Sequence, residues 1–180
     1  MEALKTVNEP IQYIVIKLGD EQYGIDIRYI ENIVRMQRIT RVPKMPEYIK
    51  GVINLRGEVV PVMSLRLKMY LPEDELTKNS RIIILKLEQG AIGVLVDEVR
   101  EVVTLGEEQI EKVSYSAYEE NFISGVGKVG EELISLLDLN AVVGTTTQAE
   151  RKDISNTRNV ITVITHRSAQ KMKGTERYYG

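Results

Sequence analysis

Two halves of this chain can be laid over each other almost without gaps. Tyr13-Ile14-Val15-Ile16-Lys17-Leu18 lies over Ile82-Ile83-Ile84-Leu85-Lys86-Leu87, an offset of 69 residues. The same offset puts Gly24-Ile25-Asp26-Ile27 on Gly93-Val94-Leu95-Val96, Ile30 on Val99, Ile33 on Val102 and Val34 on Val103. Further on the offset becomes 74: Tyr48-Ile49-Lys50-Gly51-Val52 lies over Phe122-Ile123-Ser124-Gly125-Val126, and the run 59–65 over 133–139. The five extra residues of the second copy fall in a connection, where a surface loop tolerates insertion. Two copies are too few for an open solenoid, so the duplication predicts two lobes packed on each other.

Each copy reads as β. Segments 11–18, 22–27, 51–55 and 58–64 are short, rich in Val, Ile and Tyr, and punctuated by Gly, Asp and Pro. Leu18-Gly19-Asp20-Glu21, Glu88-Gln89-Gly90 and Leu55-Arg56-Gly57-Glu58 carry hairpin-turn chemistry. Short strands at this spacing predict small barrels. Pro61, lacking an N–H, predicts an edge position or a bulge. Short helices are expected at 46–49, 65–69 and 138–143, the last with Asp138 as cap and Gly144 as stop. The boundaries that follow are a duplicated domain over 10–143, with lobes at about 10–70 and 80–143, and a tail over 144–180.

Composition excludes several classes. There is no cysteine, hence no disulfide framework, thiolate metal site or thiol nucleophile, and this suits a reducing compartment. The first ten residues carry acids and lack an apolar core, unlike a signal peptide. No run approaches the roughly 18 apolar residues of a spanning helix. A soluble, cytoplasmic protein without direct membrane insertion is expected. Residues 144–180 carry a net charge of +4 and the rest −6. An acidic body argues against nucleic acid as a partner, since phosphate contacts need clustered Lys and Arg.

Sites of chemistry are hard to find. Gly125-Val126-Gly127-Lys128-Val129-Gly130 matches a dinucleotide-binding glycine pattern, with Glu150 twenty residues beyond. That motif needs a helix after the glycines, whereas 133–139 align with 59–65, where Pro61 opposes a helix; strand and turn glycines are expected. His166 is the only histidine and lies in the tail. One imidazole makes no metal site. Asp97-Glu98 and Glu107-Glu108 are neighbours, which on a strand point to opposite faces and read as solvated charge. No catalytic, metal or cofactor site is expected, and the protein is read as no enzyme.

Tyr23-Gly24-Ile25-Asp26-Ile27, Ile39-Thr40-Arg41-Val42-Pro43, the run from Lys50 to Gly57, and Val60-Pro61-Val62 resemble the CheW family of chemotaxis coupling proteins. Val94 to Val99 and Phe122 to Gly127 extend the resemblance into the second copy, over roughly residues 10–143. What it implies is an all-β fold of two SH3-like, five-stranded barrels with short helices. It also implies a non-catalytic adaptor that couples the cytoplasmic tip of chemoreceptors to the regulatory domain of the histidine kinase CheA. Recruitment to membrane receptor arrays would then run through those partners. By the same resemblance, Asn32, Ile33, Ile39, Thr40, Arg41, Lys50 and Arg56 face the kinase. Ile30, Val34, Val99, Val102 and Val103 face the receptor. The tail departs from the family pattern, and its 37 residues are too few for a fused receiver domain, which needs roughly 100. Within it, Val160-Ile161-Thr162-Val163-Ile164 reads as an extra strand and 171–180 as loose.

Two other readings compete. A small-barrel module for another peptide or for RNA would need aromatic platforms. The chain has no Trp, one Phe and nine Tyr, four of them within 115–180. An enzyme would need a pocket with converging polar groups, for which Asp97, Glu98 and Lys128 are the nominees.

Overall fold

The computed structural model describes residues 8–113 and 122–144. His166, the expected strand at 160–164 and the end at 171–180 lie outside them. The elements are β1 (Ile11–Leu18), β2 (Glu21–Asp26), β3 (Ile30–Arg35), β4 (Ile49–Leu55), β5 (Glu58–Ser64), α1 (Leu65–Lys68), β6 (Arg81–Leu87), β7 (Gly90–Val96), β8 (Glu98–Leu105), β9 (Ile110–Lys112), β10 (Ile123–Val129), β11 (Glu132–Leu137) and α2 (Leu139–Gly144). They form two sheets, ordered β8-β1-β2-β11-β10-β9 and β3-β6-β7-β5-β4.

The sheets do not follow the sequence halves. Each takes its first hairpin from one copy and the remaining strands from the other, joined by parallel pairs: Leu136 opposite Gly24, and Val62 opposite Gly93. One sheet is therefore continuous, from 30 to 96, while the other is assembled from 11–26 and 98–137. Lobes at 10–70 and 80–143 do not describe this pairing. Two short joints explain why. Only Ile27–Tyr29 separates β2 from β3, and only Asp97 separates β7 from β8. At each joint the chain crosses to the other sheet instead of turning back into the one it has just left. The duplication itself is exact in topology: β1 matches β6, β2 matches β7, β3 matches β8, β4 matches β10 and β5 matches β11. The single bridge of Thr40 to Val52 stands where β9 pairs with β10.

Each sheet curls around an interior of its own. Tyr13, Val15, Leu105, Ile134 and Leu136 fill one; Ile53, Val60, Val62, Ile82, Ile84 and Leu95 fill the other. Between the sheets lies a third and larger core that includes Ile14, Ile16, Ile83, Leu85, Val94, Phe122 and Leu137. The central strands β1 and β6 are apolar on both faces because each divides an interior from this shared core. Ile82, Ile83, Ile84 and Leu85 are all fully buried, which stabilises by about 1.5–3 kcal/mol apiece.

Glycines sit where the barrels are tightest. A Cβ on Gly24 would lie 2.8 Å from Leu136, one on Gly93 2.7 Å from Ile82, and one on Gly127 of β10 2.5 Å from Leu105 of β8. That last approach brings together strands well apart in the sheet order and marks closure of the barrel. Gly125, Gly127 and Gly130 thus serve a strand and a turn, with Gly130 at φ +59°. Pro61 is not at an edge, since β5 lies between β7 and β4. It is tolerated because parallel pairing with β7 begins only at Val62. The helix at 46–49 does not form: Ile49 N–H bonds to the Pro46 carbonyl in a turn and then enters β4, paired with Met63. Helices α1 and α2 do form, Ser64 Oγ accepting from Leu67 N and Asp138 Oδ1 from Ala141 N.

Gly93→Ala is expected to cost about 1–3 kcal/mol by overpacking. Gly51→Ala should cost more. Its φ of +142° and a Cβ 2.2 Å from the Thr40 carbonyl oxygen add backbone strain of about 1–3 kcal/mol to the clash. Urea denaturation of both variants checks the order.

Candidate partner-binding surfaces

The apolar residues expected to face a receptor divide into two groups. Ile30 of β3 is paired with Leu85, and Val99 of β8 with Ile16, so both lie on the shared-core side of their sheets. Val102, opposite Ile14, lies on that side too and remains 51% exposed. Val34 and Val103 instead turn into the barrel interiors, opposite Ile82 and Tyr13. Ile33, expected on the kinase side, joins Ile30 on the seam. Residues three apart on a regular strand face opposite ways. A bulge in β3 between Ile30 and Asn32, repeated in β8 between Val99 and Val102, restores them to one face. The seam lining is thus Ile30, Ile33, Val99 and Val102.

The kinase-facing set is likewise partly gathered. Ile39 packs half-buried against the interior of the 30–96 barrel. Thr40 is exposed and exchanges two 2.8 Å backbone bonds with Val52, on the outer flank of β4. Arg41 and Lys50 line an open cleft of about 350 Å³ with Lys44, Glu47 and Glu73. Arg56 lies at the far end of β4, about 20 Å from Lys50 at the usual strand rise. It is exposed in a two-residue turn with φ +52°, followed by Gly57 at +86°. Asn32 sits on β3, at the other end of the strand order, with its Oδ1 accepting from the Ile33 N–H.

A polar network escaped the sequence reading. Asp97, expected from the sequence as a solvated charge, is the joint between the sheets, and Arg66 of α1 grips it with Nε at 2.8 Å and Nη2 at 2.5 Å. The Gly19 N–H of the β1–β2 turn donates to the same carboxylate at 2.7 Å. One carboxylate therefore ties together both sheets and α1. Nearby, Ser64 Oγ donates a short bond to Asp74, and Arg66 Nη1 reaches the Pro72 carbonyl at 3.4 Å. Buried Lys68 places its ammonium 4.1 Å from the Tyr48 ring centre and 6.0 Å from that of Phe122, two aromatics the repeat makes equivalent. The nominated catalytic set is dispersed: Asp97 pairs with Arg66, while Lys128 lies 3.3 Å from Glu111.

Residues 12–146 match the CheW-like domain family. The chain belongs to that family. It is 37% identical over 132 residues to the chemotaxis protein CheW of Bacillus subtilis, spanning 72% of this chain and 85% of that one. To the CheW of Klebsiella aerogenes it is 34% identical over 134 residues, spanning 73% and 81%. The scaffolding protein TtCheW from Thermoanaerobacter tengcongensis superimposes with a TM-score of 0.70 at 32% identity, over 76% of this chain and 94% of its own. The two-sheet architecture is thus the CheW-like fold, and the chain is a chemotaxis scaffold. Among the described residues no helix is long and apolar enough to cross a membrane.

In this CheW-like chain the joint network carries a pH signature. Burial alone would raise the Asp97 carboxyl, but the bonds from Arg66 and Gly19 and the charges of Arg66 and Lys17 outweigh it and hold it below the usual range. Its stabilisation is present above the ordinary Asp value of about 4 and is lost as pH falls through the folded value. Asp74 runs the other way: burial raises it more than the Ser64 bond and the Lys50 charge lower it. Its favourable contribution is present below about 4 and lost as pH rises through the raised value. Asp97→Asn should lower the denaturation midpoint at pH 7 and lower it less at pH 3, whereas Asp74→Asn should raise the midpoint at pH 7. Urea titrations at the two pH values read both signs.

Proposed function

We propose that this chain couples chemoreceptors to the histidine kinase CheA, as a non-catalytic adaptor on the cytoplasmic side, recruited to receptor arrays by its partners. Membership of the CheW-like family supports this reading, and one feature of the fold carries it. The residues read as kinase-facing and those read as receptor-facing gather mainly on different elements, the outer flank of β4 and the seam lined by β3 and β8. At the outer flank of β4, Thr40 is held by a single bridge to Val52, Arg41 and Lys50 line the cleft beside it, and Arg56 lies exposed beyond the far end of the strand. A strand edge of this kind suits a similar barrel, with main-chain pairing for affinity and side chains for choice of partner. The seam offers Ile30, Ile33, Val99 and Val102, an apolar strip suited to a helical hairpin tip.

Arg56→Glu is the cleaner probe of the kinase side, because Arg56 is exposed whereas Ile39 is packed against a core. It should weaken binding to the CheA regulatory domain by about 1–3 kcal/mol in titration calorimetry, with an unchanged circular dichroism spectrum. Val102→Asp should weaken capture of a receptor hairpin fragment and leave kinase affinity alone. Full kinase affinity in Arg56→Glu, or equal losses for both partners in Val102→Asp, would sink the assignment of surfaces.

A further inference from the structure

The cleft beside Thr40 holds a contact that the docking role does not explain. Its floor is apolar, from buried Val42 and Ile49 with Met45 and Pro46, and its rim carries Arg41, Lys44 and Lys50 against Glu47 and Glu73. The Lys44 backbone lies in the left-handed region at φ +57°, where glycine or asparagine is usual. Glu73 comes from the connection between the two sequence copies, and its carboxylate meets Lys50 Nζ at 2.9 Å.

An ion pair at such a position ordinarily means little, because long exposed side chains lose entropy when held. Glu73 differs in that its chain neighbours are fixed. The Pro72 carbonyl accepts from Arg66, and the Asp74 carboxylate accepts from Ser64 at the start of α1. Arg66 is in turn fixed by two bonds to Asp97. The chain on both sides of Glu73 is thus anchored, to the sheet joint through Arg66 on one side and to the end of β5 on the other. Its carboxylate is 70% exposed, the Lys50 side chain only 27%. The acid caps the cation from outside.

We infer that this cleft is a carboxylate-binding site and that Glu73 is its built-in occupant, displaced when an Asp or Glu side chain of the docking partner enters. The inference rests on the kinase-docking reading above and names the chemistry of the partner's contact. Arg41, Lys44 and Lys50 supply charge-assisted donors, and the partner's acid must compete with an internal one. The competition makes affinity adjustable from within the chain, and an uncharged or basic contact on the partner would gain nothing.

The test uses the full chain and the isolated CheA regulatory domain, at low and high salt. Glu73→Gln should bind about two- to fivefold more tightly at low ionic strength, with the gain shrinking in high salt. Arg41→Gln and Lys50→Gln should each weaken binding. In a Lys50→Gln background the gain from Glu73→Gln should vanish, which separates competition for Lys50 from a general change in net charge. If Arg41→Gln and Lys50→Gln weaken binding but Glu73→Gln leaves it equal or weaker, the built-in occupant is overturned while the docking surface stands. If neither cation matters and Arg56→Glu still weakens binding, the cleft is not a partner site. If none of these substitutions changes affinity, the docking surface fails with it.

Discussion

The structure depends on two strands that have no outside. β1 and β6 each run through the middle of a sheet with one face in a closed interior and the other against the shared core, so the apolar side chains along them from Tyr13 and from Ile82 onward are withdrawn from water. That condition can be met only if two curved sheets press together along both strands at once. The exchange of hairpins enforces it: each sheet begins with strands from one sequence copy and is completed by the other. Separating the barrels would expose β1 and β6 together, which makes the shared core, more than either interior, the element that sets their relative position.

Much of this was visible in the sequence. The offsets of 69 and 74 matched β1, β2, β4 and β5 to their equivalents in the second copy, and the turns at Gly19, Arg56-Gly57 and Gln89 were legible from side chains that favour reversal. Strand β3 was missed because Glu31 and Arg35 break its apolar run and its bulge breaks the period of two. The bulge also explains the mixing of the candidate residues. Ile33 and Val34 look alike in a sequence, yet one meets the seam and the other a barrel interior. Strand exchange was illegible for a different reason, since repeat matching reveals which segments are alike but not which of them pair.

The polar contacts were the least predictable. Asp97 and Arg66 are 31 residues apart and come from different sequence copies, so no local pattern joins them. Their value lies in position. Asp97 is the whole of the connection between β7 and β8, and fixing it to α1 and to the Gly19 turn restrains the angle between the sheets. The two proposed docking surfaces keep a set spacing only if that angle is kept. The seam and the Thr40 edge are in this sense held in place by a carboxylate that touches neither.

One further consequence concerns how the chain comes into being. The 30–96 sheet is complete as soon as a single uninterrupted stretch has left the ribosome, whereas the hairpin at 11–26 finds its parallel partner only in β11. At usual rates of synthesis that hairpin waits for roughly 6 to 20 s. During that interval the faces of β1 and β2 that will line their own barrel lack β11, which completes their cover. The later-made barrel therefore sets the period in which the nascent chain needs shelter from other chains.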